Sequence, residues 1–176
     1  MKEFDYNIVK NPQIFQENRL PAHSDHICYR SLEEALDESS SLRKSLNGIW
    51  KFHYAKNMGQ AVDGFWEKNY SCDGWDDIHV PAHIQMEGYD RPHYTNTTYP
   101  WEGTEQLVPG EIPQVFQPVA SYVKYFTIPQ EWNGKQICIS FQGVESAFAL
   151  WLNGIYVGYS ETSFDPAEFD LTPDLV

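Results

Sequence analysis

Phe148-Ala149-Leu150-Trp151-Leu152-Asn153-Gly154-Ile155-Tyr156-Val157-Gly158-Tyr159 decides the fold. Two apolar, aromatic runs of strand length flank Asn153-Gly154. A type I′ turn needs positive φ at both central residues, and this dipeptide meets that need best. The stretch therefore predicts an antiparallel hairpin. Upstream, Gln136-Ile137-Cys138-Ile139-Ser140-Phe141 alternates, placing Ile137, Ile139 and Phe141 on one face and Gln136, Cys138 and Ser140 on the other. Gly48–Tyr54, Asp77–Val80 (stopped by Pro81) and Tyr122–Ile128 are further strands by their β-branched and aromatic content. Several short strands without intervening helices indicate an all-β sandwich or jelly roll rather than a parallel βαβ sheet.

Residues 1–45 carry little strand signal and read as an extended N-terminal arm, with residues 46–176 forming the β domain. The arm holds one candidate helix, in which Ser31 caps Leu32-Glu33-Glu34-Ala35-Leu36 and Glu34 stands at the capping-box position. A chain of 176 residues is long enough for one domain with a substantial core. Its net charge of −13 repels a phosphate backbone and argues against nucleic acid, whereas a neutral sugar is indifferent to that field. Cys28, Cys72 and Cys138 are odd in number and widely spaced, as expected of free thiols in a reducing compartment. No apolar run is long enough to span a bilayer, and the amino terminus lacks a signal-peptide core, so a cytoplasmic location is expected.

Between Gly88 and Ser121 five prolines (Pro92, Pro100, Pro109, Pro113 and Pro118) interrupt any strand pattern. Structureless connections beyond about 12–15 residues are uncommon in compact domains and are usually functional or disordered. Tyr94, Tyr99, Trp101 and Phe116 favour an ordered loop that reaches toward a ligand or a neighbouring domain. Within it, Asn96 offers an amide that donates and accepts, as a sugar hydroxyl requires, and Tyr94 and Tyr99 offer apolar ring faces. Asn96 could equally hold the loop's own backbone, as Asn does in turns. Trp151, Tyr156 and Tyr159 are core residues or stacking platforms. His79 and His83 have a zinc-like spacing, but Pro81 between them breaks a regular helix; His23 and His26 find no third ligand along the sequence. The many carboxylates, among them Glu102, Glu105, Glu111, Asp165, Glu168 and Asp170, fit a solvated surface as well as chemistry.

Tyr94-Thr95-Asn96-Thr97-Thr98-Tyr99-Pro100, the Trp151-to-Ser160 hairpin string and Pro166-Ala167-Glu168-Phe169-Asp170-Leu171 together resemble the N-terminal jelly-roll domain of family 2 β-galactosidases, with the same order and spacing. The resemblance runs from about Asn11 to the end. It implies a galactose-binding-like jelly-roll β-sandwich that lends Asn96 to a β-galactoside pocket, with Tyr94, Tyr99 and Trp101 as loop support. It also implies that both catalytic glutamates lie in a later barrel, so this chain holds no catalytic residue and is inactive alone. The alternatives are a free-standing carbohydrate-binding module and a segment whose value lies in subunit assembly.

The family pattern continues past Val176, so the resemblance implies a sandwich without its last strands, cut from a larger enzyme and prone to self-association through an open edge. Family members also hold sodium and magnesium. The sodium-binding segment lies beyond Val176, and Ile8 stands where a magnesium-binding carboxylate is expected, although Glu161 matches an outer ligand. An alkyl side chain cannot ligate a hard cation, so neither metal site nor cofactor is assigned to this chain. The arm, which crosses subunit contacts in the family, is expected to be loose here.

Overall fold

The computed structural model describes residues 3–93, 96 and 98–175. It contains strands β1 (Gln16–Glu17), β2 (Gly48–Ala55), β3 (Asp76–Val80), β4 (Val119–Val123), β5 (Cys138–Phe141), β6 (Phe148–Leu152), β7 (Ile155–Ser160) and β8 (Ala167–Asp170). The α-helix among the described residues is the short α1 (Leu32–Leu36). Three antiparallel sheets run in the orders β1-β7-β6, β3-β2-β4 and β5-β8. This is the β-sandwich that the alternating runs predict.

The β6–β7 hairpin turns through Asn153 at φ 52° and Gly154 at φ 86°, the positive pair that a type I′ turn demands. Its register then slips, because Leu150 faces Gly158 while Trp151 faces Tyr156. Val157 is thus an extra residue, a β-bulge. A bulge frees a backbone group, and here the Val157 carbonyl accepts a hydrogen bond from Asn18 Nδ2 at 2.8 Å. Gly158 follows for a steric reason: a Cβ there would lie 2.5 Å from both the Glu17 carbonyl oxygen and Phe169 Cε1. Glycine lets β1, β7 and β8 approach this closely.

The core sits between β7 and β8. Val157, Ala167, Phe169 and Leu171 are buried, with Phe141, Phe148 and Leu150 packed against them from β5 and β6. Burying a side chain the size of Phe169 stabilises by about 2–3 kcal/mol. The alternation read from Gln136–Phe141 holds, since Ile137 is buried and Ile139 and Phe141 are half-buried while Cys138 and Ser140 are exposed. The ladder itself begins at Cys138, because the Ile137 amide donates to Thr172 Oγ1 instead.

Two expectations are corrected. The strand expected over Tyr122–Ile128 lies earlier, at Val119–Val123. Its register on β2 runs from Ala55 to Lys51 and stops there. Past that point the Lys124 ammonium donates to the Ile49 carbonyl and the Lys44 ammonium to the Thr127 carbonyl, so side chains replace the ladder. The arm is not loose. It supplies β1 to β7, the Leu20 amide donates to the Glu168 carbonyl, and Phe4 packs edge-on against Trp151 at 5.6 Å. Ser31 caps α1 as predicted, accepting from the Glu34 amide, while Glu34 reaches back to the amide of Arg30.

Candidate functional site

The segment from Gly88 to Pro118 holds no strand among its described residues, yet both of its ends are anchored. At the entry, the Tyr89 hydroxyl donates to Asp76 Oδ2 at 2.8 Å, and its ring lies 4.5 Å from Phe52. Desolvation, with the Asp76 carboxylate beside it, pushes the Tyr89 phenol up to about 12. At the exit, Ile112 is buried, the Gln117 amide donates to the Lys56 carbonyl and Asn57 Nδ2 donates to the Val115 carbonyl. The loop is thus tied at both ends to β2 and its flank.

Carboxylates organise its interior. Glu105 accepts from the amides of Gln114 and Val115 at 2.9 and 3.1 Å. Those bonds, Gln114 foremost, hold the Glu105 carboxyl below its ordinary range. Glu102 and Glu111 likewise accept from the Tyr99 and Val108 amides. The result presents a pair of rings: Tyr99 and Trp101 stack at 4.9 Å with planes 7° apart, and Tyr99 remains 66% exposed. Asn96 is exposed as well. Tyr94, the other ring expected beside it, lies outside the described residues. Tyr99 and Asn96 thus both keep accessible surface on one loop.

The hairpin aromatics belong to the core. Tyr159 is 1% and Tyr156 is 8% exposed. Their hydroxyls donate to Glu161 Oε1 at 2.6 Å and Glu17 Oε2 at 2.9 Å, and burial with those carboxylates raises both phenol pKa values. Trp151 stacks on Trp66 at 4.7 Å, a pairing distant in sequence that no local pattern announces. The remaining candidate acids also have structural partners: Asp170 accepts from Gln136 and Thr172, Glu168 meets His23, and Asp165 lies 4.0 Å from Arg19. His79 faces Glu87 at 3.3 Å. Among the described residues no three His, Cys, Asp or Glu side chains are arranged to hold a metal ion. Ile8 carries an alkyl side chain, and the Glu161 carboxylate accepts the Tyr159 hydroxyl. Two concavities lie elsewhere, one beside Lys51, Cys72, Asp73 and Tyr125, the other between the arm and β8. Neither is lined by Asn96, Tyr99 or Trp101.

A β-sandwich with an anchored, ring-bearing loop defines a class, and residues 43–176 match the model of the glycosyl hydrolases family 2 sugar binding domain. The chain belongs to that family. Among curated proteins it is similar to the β-galactosidase of Halalkalibacterium halodurans, at 55% identity over 166 residues that cover 94% of this chain and 16% of that protein. The β-galactosidase of Streptococcus thermophilus is 43% identical across 100% of this chain and 17% of its own length, and the β-galactosidase large subunit of Latilactobacillus sakei is 40% identical across 95% and 29%. The chain thus spans about a sixth of the length of the first two relatives. A β-glycosidase from Bacteroides vulgatus has a similar structure, with TM-score 0.51 and 27% identity over 74% of this chain and 15% of that one. No described helix is long and apolar enough to cross a membrane.

Proposed function

We propose that this chain is the amino-terminal sugar-binding portion of a β-galactosidase, and that its Asn96 loop forms one rim of a β-galactoside pocket completed by other domains. The observation that carries this reading is the match of residues 43–176 to the family 2 sugar binding domain, combined with a loop that leaves Tyr99 and Asn96 accessible. On this reading Asn96 hydrogen-bonds a sugar hydroxyl, and the Tyr99–Trp101 stack supports the loop and offers it an apolar face. The proton donor and the nucleophile of retaining glycoside hydrolysis, two carboxylates flanking the bond, come from outside the chain. The free thiols of Cys28, Cys72 and Cys138 support a cytoplasmic setting, and association with the rest of the enzyme and with further copies belongs to the same reading.

Mixing the chain with a family 2 β-galactosidase that lacks its own amino-terminal segment tests the proposal. Restored lactose hydrolysis, reduced when the chain carries Asn96→Ala, is the expected result; no restoration at any ratio overturns it. The exposed Tyr99 ring favours one second reading, a module that binds sugar alone. Calorimetry of the isolated chain with galactose or lactose separates the two: silence agrees with a rim, and millimolar or tighter binding with a module.

A further inference from the structure

His23 lies in the arm where Leu20 to Asp25 crosses the end of β8, and both of its ring nitrogens face oxygens. Nδ1 is 2.8 Å from the Ser24 carbonyl and Nε2 is 2.9 Å from Glu168 Oε2. A backbone carbonyl and an ionised carboxylate are acceptors only. A neutral imidazole has one N–H and one lone pair, so it serves one of these oxygens and turns a lone pair on the other. Two donors exist only when the ring carries its second proton.

We propose that His23 is a proton-operated latch that fastens the arm to β8: as an imidazolium it bridges the Ser24 carbonyl and the Glu168 carboxylate, and as a neutral ring it releases one of them. The groups around it set the direction. Glu168 and Asp25 are negative and favour the charged ring; His26, with ring centroids 4.9 Å apart, opposes it when protonated; Gln142 across the concavity is neutral. The balance raises the His23 pKa above 6.5, through the Ser24 carbonyl first and Glu168 next. Glu168 moves the opposite way, since burial raises its pKa but the bonds from His23 and Ser140 outweigh that burial.

The sign follows from linkage. A group whose pKa is raised by folding contributes stability that is fully present below its ordinary value and disappears as pH rises through the folded one. The latch is therefore closed in acid and opens as pH rises through the raised pKa of His23. One bond beside it reports the state, because the Leu20 amide donates to the Glu168 carbonyl at 2.8 Å. Upstream, β1 is held independently by its ladder to β7, so opening loosens the stretch after Leu20 and leaves β1 in place.

Imidazole nitrogen NMR of the whole chain, together with hydrogen exchange at the Leu20 amide, tests the latch. Between about pH 6 and pH 8, where histidine charge changes, the protection of Leu20, corrected for the intrinsic rate, is expected to fall severalfold. That fall should follow the His23 titration, and Glu168→Gln should lower the pH at which His23 titrates. His23→Gln keeps an N–H donor toward Glu168 but cannot titrate, so its Leu20 protection should be independent of pH. A Leu20 amide equally protected throughout this range, or an unchanged profile in His23→Gln, overturns the proposal. Neither result bears on whether the Asn96 loop meets a sugar.

Discussion

The β6–β7 hairpin and the loop from Gly88 to Pro118 both carry conspicuous aromatic residues, and they use them in opposite ways. In the hairpin, Tyr156 and Tyr159 are buried with each hydroxyl spent on a carboxylate, and Trp151 stacks on Trp66. In the loop, Tyr99 stacks on Trp101 yet keeps two thirds of its surface open, at 66% exposure. An aromatic-rich sequence therefore does not reveal which rings are buried and which stay accessible. What separates the two regions is what surrounds the rings: the hairpin rings are packed under Phe4 of the arm and against Trp66, while loop rings stand on a segment whose amides are held by Glu102, Glu105 and Glu111. Substitutions in the first region should lower the protein's stability, and in the second they should leave stability nearly unchanged.

The largest effect is expected at Gly158. A methyl group there meets the Glu17 backbone and the Phe169 ring, neither of which can move without separating β1 or β8 from β7. Gly158→Ala should cost about 3 kcal/mol, the upper part of the overpacking range, read as a lower urea midpoint at unchanged slope. A midpoint within error of the parent would mean that the bulge at Val157 absorbs the extra volume. Tyr159→Phe is the next step down. It removes the hydroxyl bonded to Glu161 at 2.6 Å and should cost about 1.5–3 kcal/mol, as expected for a hydrogen bond to a charged partner. A neutral result would place the Tyr159 hydroxyl in water.

The contrast also explains how far the sequence could be read. Asn153-Gly154 forces positive φ whatever surrounds it, so the hairpin was legible from a dozen residues, as were the Ser31 cap and the alternation ending at Phe141. The end of β4 was not, because Lys124–Ile128 has strand propensity and only the short register on β2 stops it. The packed arm was also hidden: Asn18 reaches the Val157 carbonyl, and no local pattern encodes a bulge's need for a donor. His23 and His26 showed no third partner along the chain, yet the crossing of the arm over β8 brings Glu168 to His23. In the loop, the sequence offered Tyr99 and Trp101 as rings, whereas their stack on each other and the brace from Glu105 to Gln114 needed the folded backbone.

That brace gives a smaller, local effect. Glu105 accepts two backbone amides as a carboxylate, and folding lowers its pKa below 4.5. A group with a depressed folded pKa contributes order that is complete above its ordinary value and is lost as pH falls through the folded one. Exchange at the Gln114 and Val115 amides should accelerate below about pH 4 relative to that at core strand amides, once the intrinsic rate is removed, since protonation weakens acceptors of this kind. Glu105→Gln, with a neutral oxygen in the same place, should show weaker protection at neutral pH and no such acid step. An acid step that survives in Glu105→Gln would assign the brace to another carboxylate.

The smallest change in stability is expected at Asn96, and there the comparison between the two regions is sharpest. The residue is exposed, so Asn96→Ala should shift the unfolding free energy by less than about 0.5 kcal/mol, the range usual for surface positions. A loss of several degrees in the melting temperature would instead assign its amide to the loop's own backbone and join it to the hairpin side of the contrast. The same variant should lower the lactose hydrolysis restored on mixing with the truncated family enzyme, because a sugar hydroxyl left without its partner weakens binding where stability is untouched. Tyr99→Ala completes the test: it opens the stack on Trp101, so a change in restored hydrolysis that appears with Tyr99→Ala and not with Asn96→Ala would place recognition in the ring face rather than the amide.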